Sequence, residues 1–344
     1  MSTLWFGIVA IMFAIYATLD GFDMGVGIVY LFIAHEDAER KEVLASIGPV
    51  WDGNEVWLLA AGGTLFFAFP AAYASAFSGF YLPLMMVLWL LILRGTAVEF
   101  RNRIVSPVWA PLWDVVFSGA SALLALFFGA ALGNVLRGVP LDANGNFFLP
   151  LWTDFRINVD AGVLDWFTII LGLASVAVLA MHGALWLAVK TTGALQARAR
   201  ILARVFWIAV AAVSVLLILM VPLILPQFGH RFMNNPWGLV FPIVAFASLA
   251  GIMAMTSAAR DTPAFLCSCA YILSMLTAAV FGHYPYLLSP IAIGQPALTI
   301  LNASTSDVDL TIALYWFIPG VALVIAYFVF AYRTLFAHRE SNSY

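Results

Sequence analysis

The sequence predicts an all-α polytopic membrane protein that forms a single integral membrane domain over residues 1–344. Apolar residues of the set AVILMFWYC make up 64% of the chain, whereas charged residues make up only 10%. The mean hydropathy is +0.99. A soluble domain of this length needs more charge to cover its surface, so the composition is typical of a chain that crosses a bilayer several times. The net charge of −3 argues against nucleic acid as a partner.

About nine apolar stretches reach the length of about 20 residues that a helix needs to cross the hydrocarbon core. The short connections at 71–76 and 259–263 make helices two and three, and helices seven and eight, antiparallel neighbours. Nine helices fit two four-helix bundles plus one peripheral helix. The predicted spans are 4–33, 48–70, 77–100, 111–136, 162–189, 203–225, 237–258, 264–284 and 310–336.

Lysine and arginine residues set the predicted orientation. With nine spans, eleven basic residues fall on one side and three on the other. The side with more basic residues is predicted to be cytoplasmic, which places the N-terminus outside and the C-terminus inside. The cytoplasmic set is Arg40, Lys41, Arg101, Arg103, Lys190, Arg198, Arg200, Arg204, Arg260, Arg333 and Arg339, and the opposite set is Arg137, Arg156 and Arg231.

Helix one carries two acids, Asp20 and Asp23, in the stretch DGFDMGVG, which has apolar residues on both sides. A spacing of three residues places both carboxyls on one helix face. An ionised acid at mid-membrane costs about 2.5–3.5 kcal/mol on insertion scales. The pair therefore predicts a site that is protonated, paired or wet, and a proton relay or ion path is its expected use. A purely structural role is the alternative.

Helix two begins near the stretch WDGNEVW, on the same side of the membrane as Asp23. Asp52 and Glu55 lie in its first turns and again share a face at a spacing of three. We expect the four carboxyls of helices one and two to converge near the cytoplasmic entrance. The structural alternative for Asp52 and Glu55 is that they complement the positive end of the helix dipole.

Histidine and cysteine give no sign of a cofactor site in this chain. A haem with two histidine ligands needs them facing each other in the bilayer, and only His182 lies plainly inside a span. We expect His182 to be a hydrogen-bonded packing residue. Cys267 and Cys269 lie two residues apart on a helix, so their side chains diverge. The sequence thus predicts no catalytic residue, no metal site and no cofactor within the chain.

Four stretches carry a resemblance to a known family. They are TLDGFDMGVG, WDGNEVWLLAAGGTLFFAFPAAYASAFSGFYLPL, GNVLRGVP and NASTSDVDLTIALYW. Together they cover essentially the whole chain, which resembles subunit II of the cytochrome bd-type quinol oxidases, a family that includes cyanide-insensitive members. The resemblance implies a terminal respiratory oxidase of the bacterial inner (cytoplasmic) membrane, in which quinol is oxidised and dioxygen is reduced to water.

The resemblance also implies a division of labour between two subunits. Two b-type haems and one haem d, or a haem b in its place, belong to subunit I, which packs against subunit II as a heterodimer among the membrane lipids. Subunit II is expected to support assembly and to contribute to proton uptake from the cytoplasm. The family pattern also admits a quinone held as a structural lipid and small accessory single-helix subunits.

The resemblance assigns site residues one by one. Asp52 matches the aspartate at the start of the family's proton path, and Asp20 and Asp23 match the acids beside it. Glu55 stands where some relatives have glutamine, which leaves a relay role for Glu55 open. The predicted proton pathway therefore comprises Asp20, Asp23, Asp52 and Glu55.

Arg94 is the one basic residue left at membrane depth. A guanidinium there needs an acid, a carbonyl or a haem propionate across the subunit interface, unless it extends toward the aqueous surface. Trp51 and Trp57 flank the acids of helix two and are candidates for contact with a partner or a flat lipophilic ligand. These three residues form the predicted subunit or haem-propionate contact.

Two other functions fit some of the same features. A proton-coupled secondary transporter also uses mid-membrane acids, but it predicts helices broken by Gly or Pro in matched halves. Pro222, Pro226 and Pro242 leave room for such breaks in helices six and seven. The third alternative is a purely structural subunit that moves no protons.

Overall fold

The computed structural model describes residues 1–337 with the exception of 159 and 293, and it confirms the all-α fold. A 3₁₀ turn, Pro236–Leu239, precedes the tenth helix. Strands β1 (Tyr286–Leu288) and β2 (Leu298–Thr299) form one short antiparallel pair. The helices are α1 (Ser2–Ile33), α2 (Asp37–Ile47), α3 (Trp51–Ala68), α4 (Pro70–Gly79), α5 (Tyr81–Phe100), α6 (Trp109–Arg137), α7 (Trp166–Lys190), α8 (Gly193–Ile224), α9 (Pro226–Asn234), α10 (Val240–Ser257), α11 (Asp261–His283) and α12 (Asp307–Ala337).

The long helices form two groups of four with one helix outside them. Helices α1, α3, α5 and α6 pack together, and α7, α8, α10 and α11 form the second group. Helices α1 and α6 both pack on α7, which joins the two groups. Helix α12 lies on the outside against α1 and α3, and none of its most apolar segment is buried. The layout is two four-helix bundles plus one peripheral helix.

Eight helices in the described part of the chain are long and apolar enough to cross a membrane, and they coincide with eight predicted spans. The remaining predicted span, 48–70, contains α3, whose 18 residues correspond to about 27 Å of helix. The predicted connection at 71–76 is wrong, because those residues belong to helix α4. The two short helices α2 and α9 lie outside the predicted spans.

The break between α3 and α4 has a local cause. Pro70 occupies the first position of α4, and the preceding Phe69 has φ −136° and ψ 63°. A residue before proline is driven out of the α region by contact with the proline ring, so α3 ends there. Proline is tolerated at the first helical position because that N–H has no intrahelical partner. One apolar stretch therefore yields two helices.

The polar ends of the helices meet at two opposite ends of the molecule. The end that carries α2 also holds the α5–α6 and α7–α8 turns, as ion pairs from Asp37 to Arg101 and from Glu39 to Arg198 show. We call this the α2 end. It is the side predicted to be cytoplasmic, and that orientation stays a prediction. Arg339, which was counted toward it, lies outside the described residues.

Helices α1 and α7 touch backbone to backbone at Gly25 and Gly183. A Cβ atom on Gly25 would lie 1.9 Å from the carbonyl oxygen of Leu179, and one on Gly183 would lie 2.1 Å from the carbonyl carbon of Gly25. Only glycine allows this approach, in keeping with the small residues that line helix contacts in membranes. The contact buries the second half of α1, including its two acids.

Candidate functional site

The buried acids of α1 lie where that helix is enclosed by its neighbours. Asp20 is 0% exposed and Asp23 is 1% exposed. Helices α3, α6, α7 and α11 all contact α1, so its polar residues cannot reach lipid or bulk water directly. Buried charges of this kind are tolerated when they are paired, hydrogen-bonded or protonated.

Arg94 of α5 joins the acids of two other helices. Its Nη1 atom lies 2.8 Å from Oδ1 of Asp20, and its Nη2 atom lies 3.1 Å from Oε2 of Glu55 on α3. The arginine side chain is 2% exposed and Glu55 is 22% exposed. The guanidinium therefore ties α1, α3 and α5 together. Among the predicted partners for Arg94, the structure contains acids of the same chain.

Asp23 is held by a neutral donor. Nδ2 of Asn54 donates to Oδ2 of Asp23 at 2.8 Å and more weakly to the carbonyl of Leu19 at 3.4 Å. Oδ1 of Asn54 accepts from the hydroxyl of Tyr332 on α12 at 3.1 Å. Asn54 is 0% exposed, and three helices meet at its amide. No ion-pair partner of Asp23 is found in the described part of the chain.

The second oxygen of Asp23 and the indole N–H of Trp57 are buried without a hydrogen-bond partner among the residues described. The hydroxyl of Tyr16 lies beside Asp20. Leaving a buried polar atom unpaired costs about 1–3 kcal/mol, so such atoms are ordinarily satisfied by internal water. The site thus combines carboxyls with polar atoms that suit a hydrated proton path.

Asp52 is not buried with the other carboxyls, and its convergence with them near the cytoplasmic entrance stays a prediction. Its side chain is exposed, whereas Asn54 two residues later points inward. Positions two apart on a helix point about 200° apart, so only one of them can face α1. Glu55 shares a face with Asp52 and lies within electrostatic reach of both Asp52 and the buried Asp20.

Trp51 and Trp57 pack within the chain. The ring of Trp51 lies against Gly95 of α5, where an added Cβ would come within 3.2 Å of it. Trp57 lies 5.7 Å from the ring of Phe328 on α12, measured between centroids. Their predicted contact with a partner subunit or a haem propionate remains a prediction.

A second polar cluster, at the α2 end, was not foreseen as a unit. Asp114 of α6 accepts from Tyr30 at 2.6 Å, from Nε of Arg101 at 2.5 Å and from Arg40 at 2.7 Å. Arg101 also bonds Asp37, whose carboxyl has a lowered pKa because Lys41 and then Arg101 donate to it. The cluster ties α1, α2, α5 and α6. Its sequence signal was only that these residues lie near predicted helix ends.

The opposite end of the molecule contains a buried ion pair between Arg137 and Asp165. Asp165 caps α7 through the N–H groups of Phe167 and Thr168, and it is 0% exposed. Arg137 was predicted only as one of the three basic residues of the side opposite the cytoplasm, without a partner. The motif Asp165-x-x-Thr168 before an apolar run, typical of a capping box, was the available signal.

His182 makes two hydrogen bonds inside the chain. One ring nitrogen bonds Ser268 at 2.7 Å and the other bonds the carbonyl of Thr18 at 3.0 Å. The ring also stacks on Phe265 at 4.8 Å. With both nitrogens engaged, His182 fits the predicted packing role. Within the described residues, no group of three His, Cys, Asp or Glu side chains is arranged to hold a metal ion.

Comparison with known proteins covers nearly the full chain. The family profile described as cytochrome bd terminal oxidase subunit II matches residues 1–335. The chain is 32% identical to cytochrome bd ubiquinol oxidase subunit 2 of Bacillus subtilis, across 100% of this chain and 99% of the relative. It is 30% identical to the probable cytochrome oxidase subunit 2 of Haemophilus influenzae, across 98% of this chain and 95% of the relative.

The fold has a solved counterpart. A chain of the bd oxidase from Geobacillus thermodenitrificans superposes with a TM-score of 0.75 over 97% of this chain and 98% of that chain. The sequence identity in this comparison is 19%, so it supports the fold alone.

Proposed function

The chain belongs to the cytochrome bd terminal oxidase subunit II family, and from that premise we propose that its buried acids deliver protons to a haem-bearing partner. It is a subunit of a bd-type quinol oxidase, an oxidoreductase complex, and an integral bacterial membrane protein. In the proposed reaction, quinol supplies electrons and dioxygen is reduced to water in subunit I. That reduction consumes protons, which this subunit brings from the cytoplasm.

The observation that carries the proposal is the charge balance around Arg94. This single guanidinium pairs with Asp20 and Glu55, whereas the third carboxyl, that of the buried Asp23, accepts only from the neutral Asn54 amide. Each uncompensated charge at membrane depth costs about 2.5–3.5 kcal/mol, so the site favours binding at least one proton. A group of acids that holds fewer protons than carboxyls can accept and pass on a proton with little movement.

The proposed route starts at the α2 end. Asp52 is exposed there and collects protons from water, while Glu55 lies on the same helix face and is 22% exposed. Arg94 links Glu55 to Asp20, and Asp23 follows three residues later on α1. The exposed fraction thus falls from Asp52 through Glu55 to Asp20, and Asp23, which lies about one turn of α1 nearer the α2 end, is a second buried carboxyl beside Asp20.

The haems are proposed to lie in subunit I because the part of the chain that the structure describes offers no facing ligand pair for them. The two nitrogens of its span histidine, His182, are already hydrogen-bonded to Ser268 and Thr18. A haem iron of the bis-histidine type needs a free nitrogen from each of two facing rings. The heterodimer with subunit I, the inner-membrane location, a structural quinone and small accessory subunits belong to the same proposal.

The positions of three prolines argue against a secondary transporter. Pro222 lies in the last turn of α8, Pro226 begins α9, and Pro242 lies in the first turn of α10. These prolines therefore stand at helix ends, whereas a transporter site uses helices broken near the midplane.

The test is Asp23→Asn in the assembled complex, with quinol-driven oxygen uptake measured per haem. Asparagine keeps the shape of the side chain but cannot carry a proton, so uptake should fall by about 10²-fold, the lower range for a positioned proton-transfer group. The matched control is Glu99→Gln, because Glu99 is half-exposed at the end of α5 and outside the cluster. Unchanged uptake in an Asp23→Asn complex with normal haem spectra would refute the proposal.

A further inference from the structure

Tyr332 connects the peripheral helix α12 to the buried acids. The apolar segment of α12 is unburied, yet near the α2 end the Tyr332 hydroxyl donates to Oδ1 of Asn54 at 3.1 Å. The Tyr332 ring stacks on Phe328 at 6.2 Å, and Phe328 in turn lies against Trp57 of α3. The ring is thus held by packing, while the hydroxyl makes a specific contact.

The Asn54 amide is oriented by its two partners. A tyrosine that donates must face the amide oxygen, and a carboxylate that accepts must face the NH₂ group. Turning the amide over would place its oxygen against the Asp23 carboxylate and its NH₂ group against the Tyr332 hydroxyl. The Asp23 carboxylate, which can only accept, therefore sets the amide orientation, and the Tyr332 hydroxyl, by donating to the amide oxygen, holds the amide in the position that gives Asp23 its donor at 2.8 Å.

We propose that Tyr332 is a positioning residue for Asp23, acting through Asn54 to keep a donor fixed on the carboxylate that faces the Asp20–Arg94 pair. Neither family membership nor the sequence motifs assign this role to α12. This role deepens the proposed function, because an effect of Tyr332 on turnover rests on proton delivery by Asp23. The effect of Tyr332 on the Asp23 carboxyl itself does not depend on proton delivery.

The design of the test follows from the packing. Tyr332→Phe removes the hydroxyl and leaves the ring against Phe328, so the helix should stay in place. Tyr327→Phe is the matched control, because Tyr327 lies on the same helix, is 61% exposed and is remote from the acids. Haem content of the purified complex reports assembly for both variants.

The direct readout is the infrared carboxyl band of Asp23, assigned by its disappearance in Asp23→Asn. We expect the band to shift in Tyr332→Phe and to keep its position in Tyr327→Phe. An unshifted band in Tyr332→Phe would overturn the inference, even if Asp23 proves essential for turnover. If the band shifts in Tyr332→Phe while Asp23→Asn keeps full activity, the proposed function is refuted and the positioning role of Tyr332 is retained.

Turnover gives a second, independent readout through a double-mutant cycle. Tyr332→Phe should lower oxygen uptake per haem by about fivefold, the effect typical of losing one hydrogen bond. Because Tyr332 acts through Asn54, the same substitution should have no further effect in an Asn54→Leu background. Additive losses in the double variant would contradict the inference.

Discussion

Nη1 of Arg94 lies 2.8 Å from Oδ1 of Asp20, and the two side chains are 2% and 0% exposed. They come from α5 and α1, and Glu55 of α3 occupies the other terminal nitrogen of the same guanidinium. One arginine thus joins three helices of the first bundle at membrane depth. The structural consequence is that the acids proposed to move protons also depend on Arg94 for their position.

Arg94→Leu should destabilise the protein, because it leaves Asp20 buried without its cation. Breaking a buried pair in this way costs about 3–5 kcal/mol. We expect less assembled complex and lower haem content in membranes. Arg103→Leu is the control, since its pair with Glu99 is exposed and worth only about 0.3–0.5 kcal/mol. Normal haem content in Arg94→Leu would show that the ion pair is dispensable.

Gly25→Ala should separate α1 from α7. The new Cβ would collide with the backbone of Leu179, which cannot move without shifting α7. Overpacking of this kind costs about 1–3 kcal/mol, to be measured as a lower melting temperature of the purified complex. Gly119→Ala in α6 is the control, because nothing lies within 4 Å of an added Cβ there. Equal melting temperatures of the two variants would argue against the close contact.

The pair of Glu39 and Arg198 predicts a specific pH behaviour. Donation from Arg198 lowers the pKa of Glu39 to about 2. A carboxyl whose pKa is lower in the folded than in the unfolded state stabilises the folded protein at every pH above the unfolded-state pKa of about 4.3. That stabilisation is lost only as the pH falls toward the folded-state pKa. The melting-temperature advantage of wild type over Arg198→Gln should therefore be full at about pH 6 and should shrink as the pH falls from about 4 toward 2. An advantage that stays constant down to about pH 3 would mean that Arg198 does not lower the pKa of Glu39.

Asp52→Asn should leave the complex assembled, with normal haem spectra, while slowing quinol-driven oxygen uptake. The exposed Asp52 carboxyl is proposed to collect protons, so the defect should deepen at alkaline pH, where protons are scarce. If Asp20 acts in series with Asp52, the double Asn variant should be far from additive. Lost haem with normal turnover per intact complex would indicate a structural role instead.

Sequence reasoning identified the membrane class, the costly acids Asp20 and Asp23, and the need of Arg94 for a partner. Those conclusions follow from burial energetics, which depend only on local hydropathy. The partner of Arg94 could not be predicted, because it depends on the rotation of α5 against α1 and α3. The same limit explains why the exposed Asp52 could not be told apart from the buried carboxyls. A shift of two residues along α3 exchanges Asp52 for Asn54 at the inward face.

Helix α4 and the Arg137–Asp165 ion pair could not be predicted from the division of the chain into apolar spans. The apolar run through residues 48–100 appeared as two spans with a connection, but Pro70 begins the short helix α4 within it. The Arg137–Asp165 pair joins residues far apart in sequence, so only the capping motif at Asp165 hinted at order there.

Side-resolved proton uptake tests the central claim most directly. The complex is reconstituted in oriented vesicles, and a pH-sensitive dye on the side of the α2 end follows protons during oxygen reduction. Wild type should take up protons from that side, and Asp23→Asn should slow this uptake by about 10²-fold while haem reduction by quinol stays intact. Proton uptake at the wild-type rate in Asp23→Asn, or uptake from the opposite side in wild type, would contradict the account.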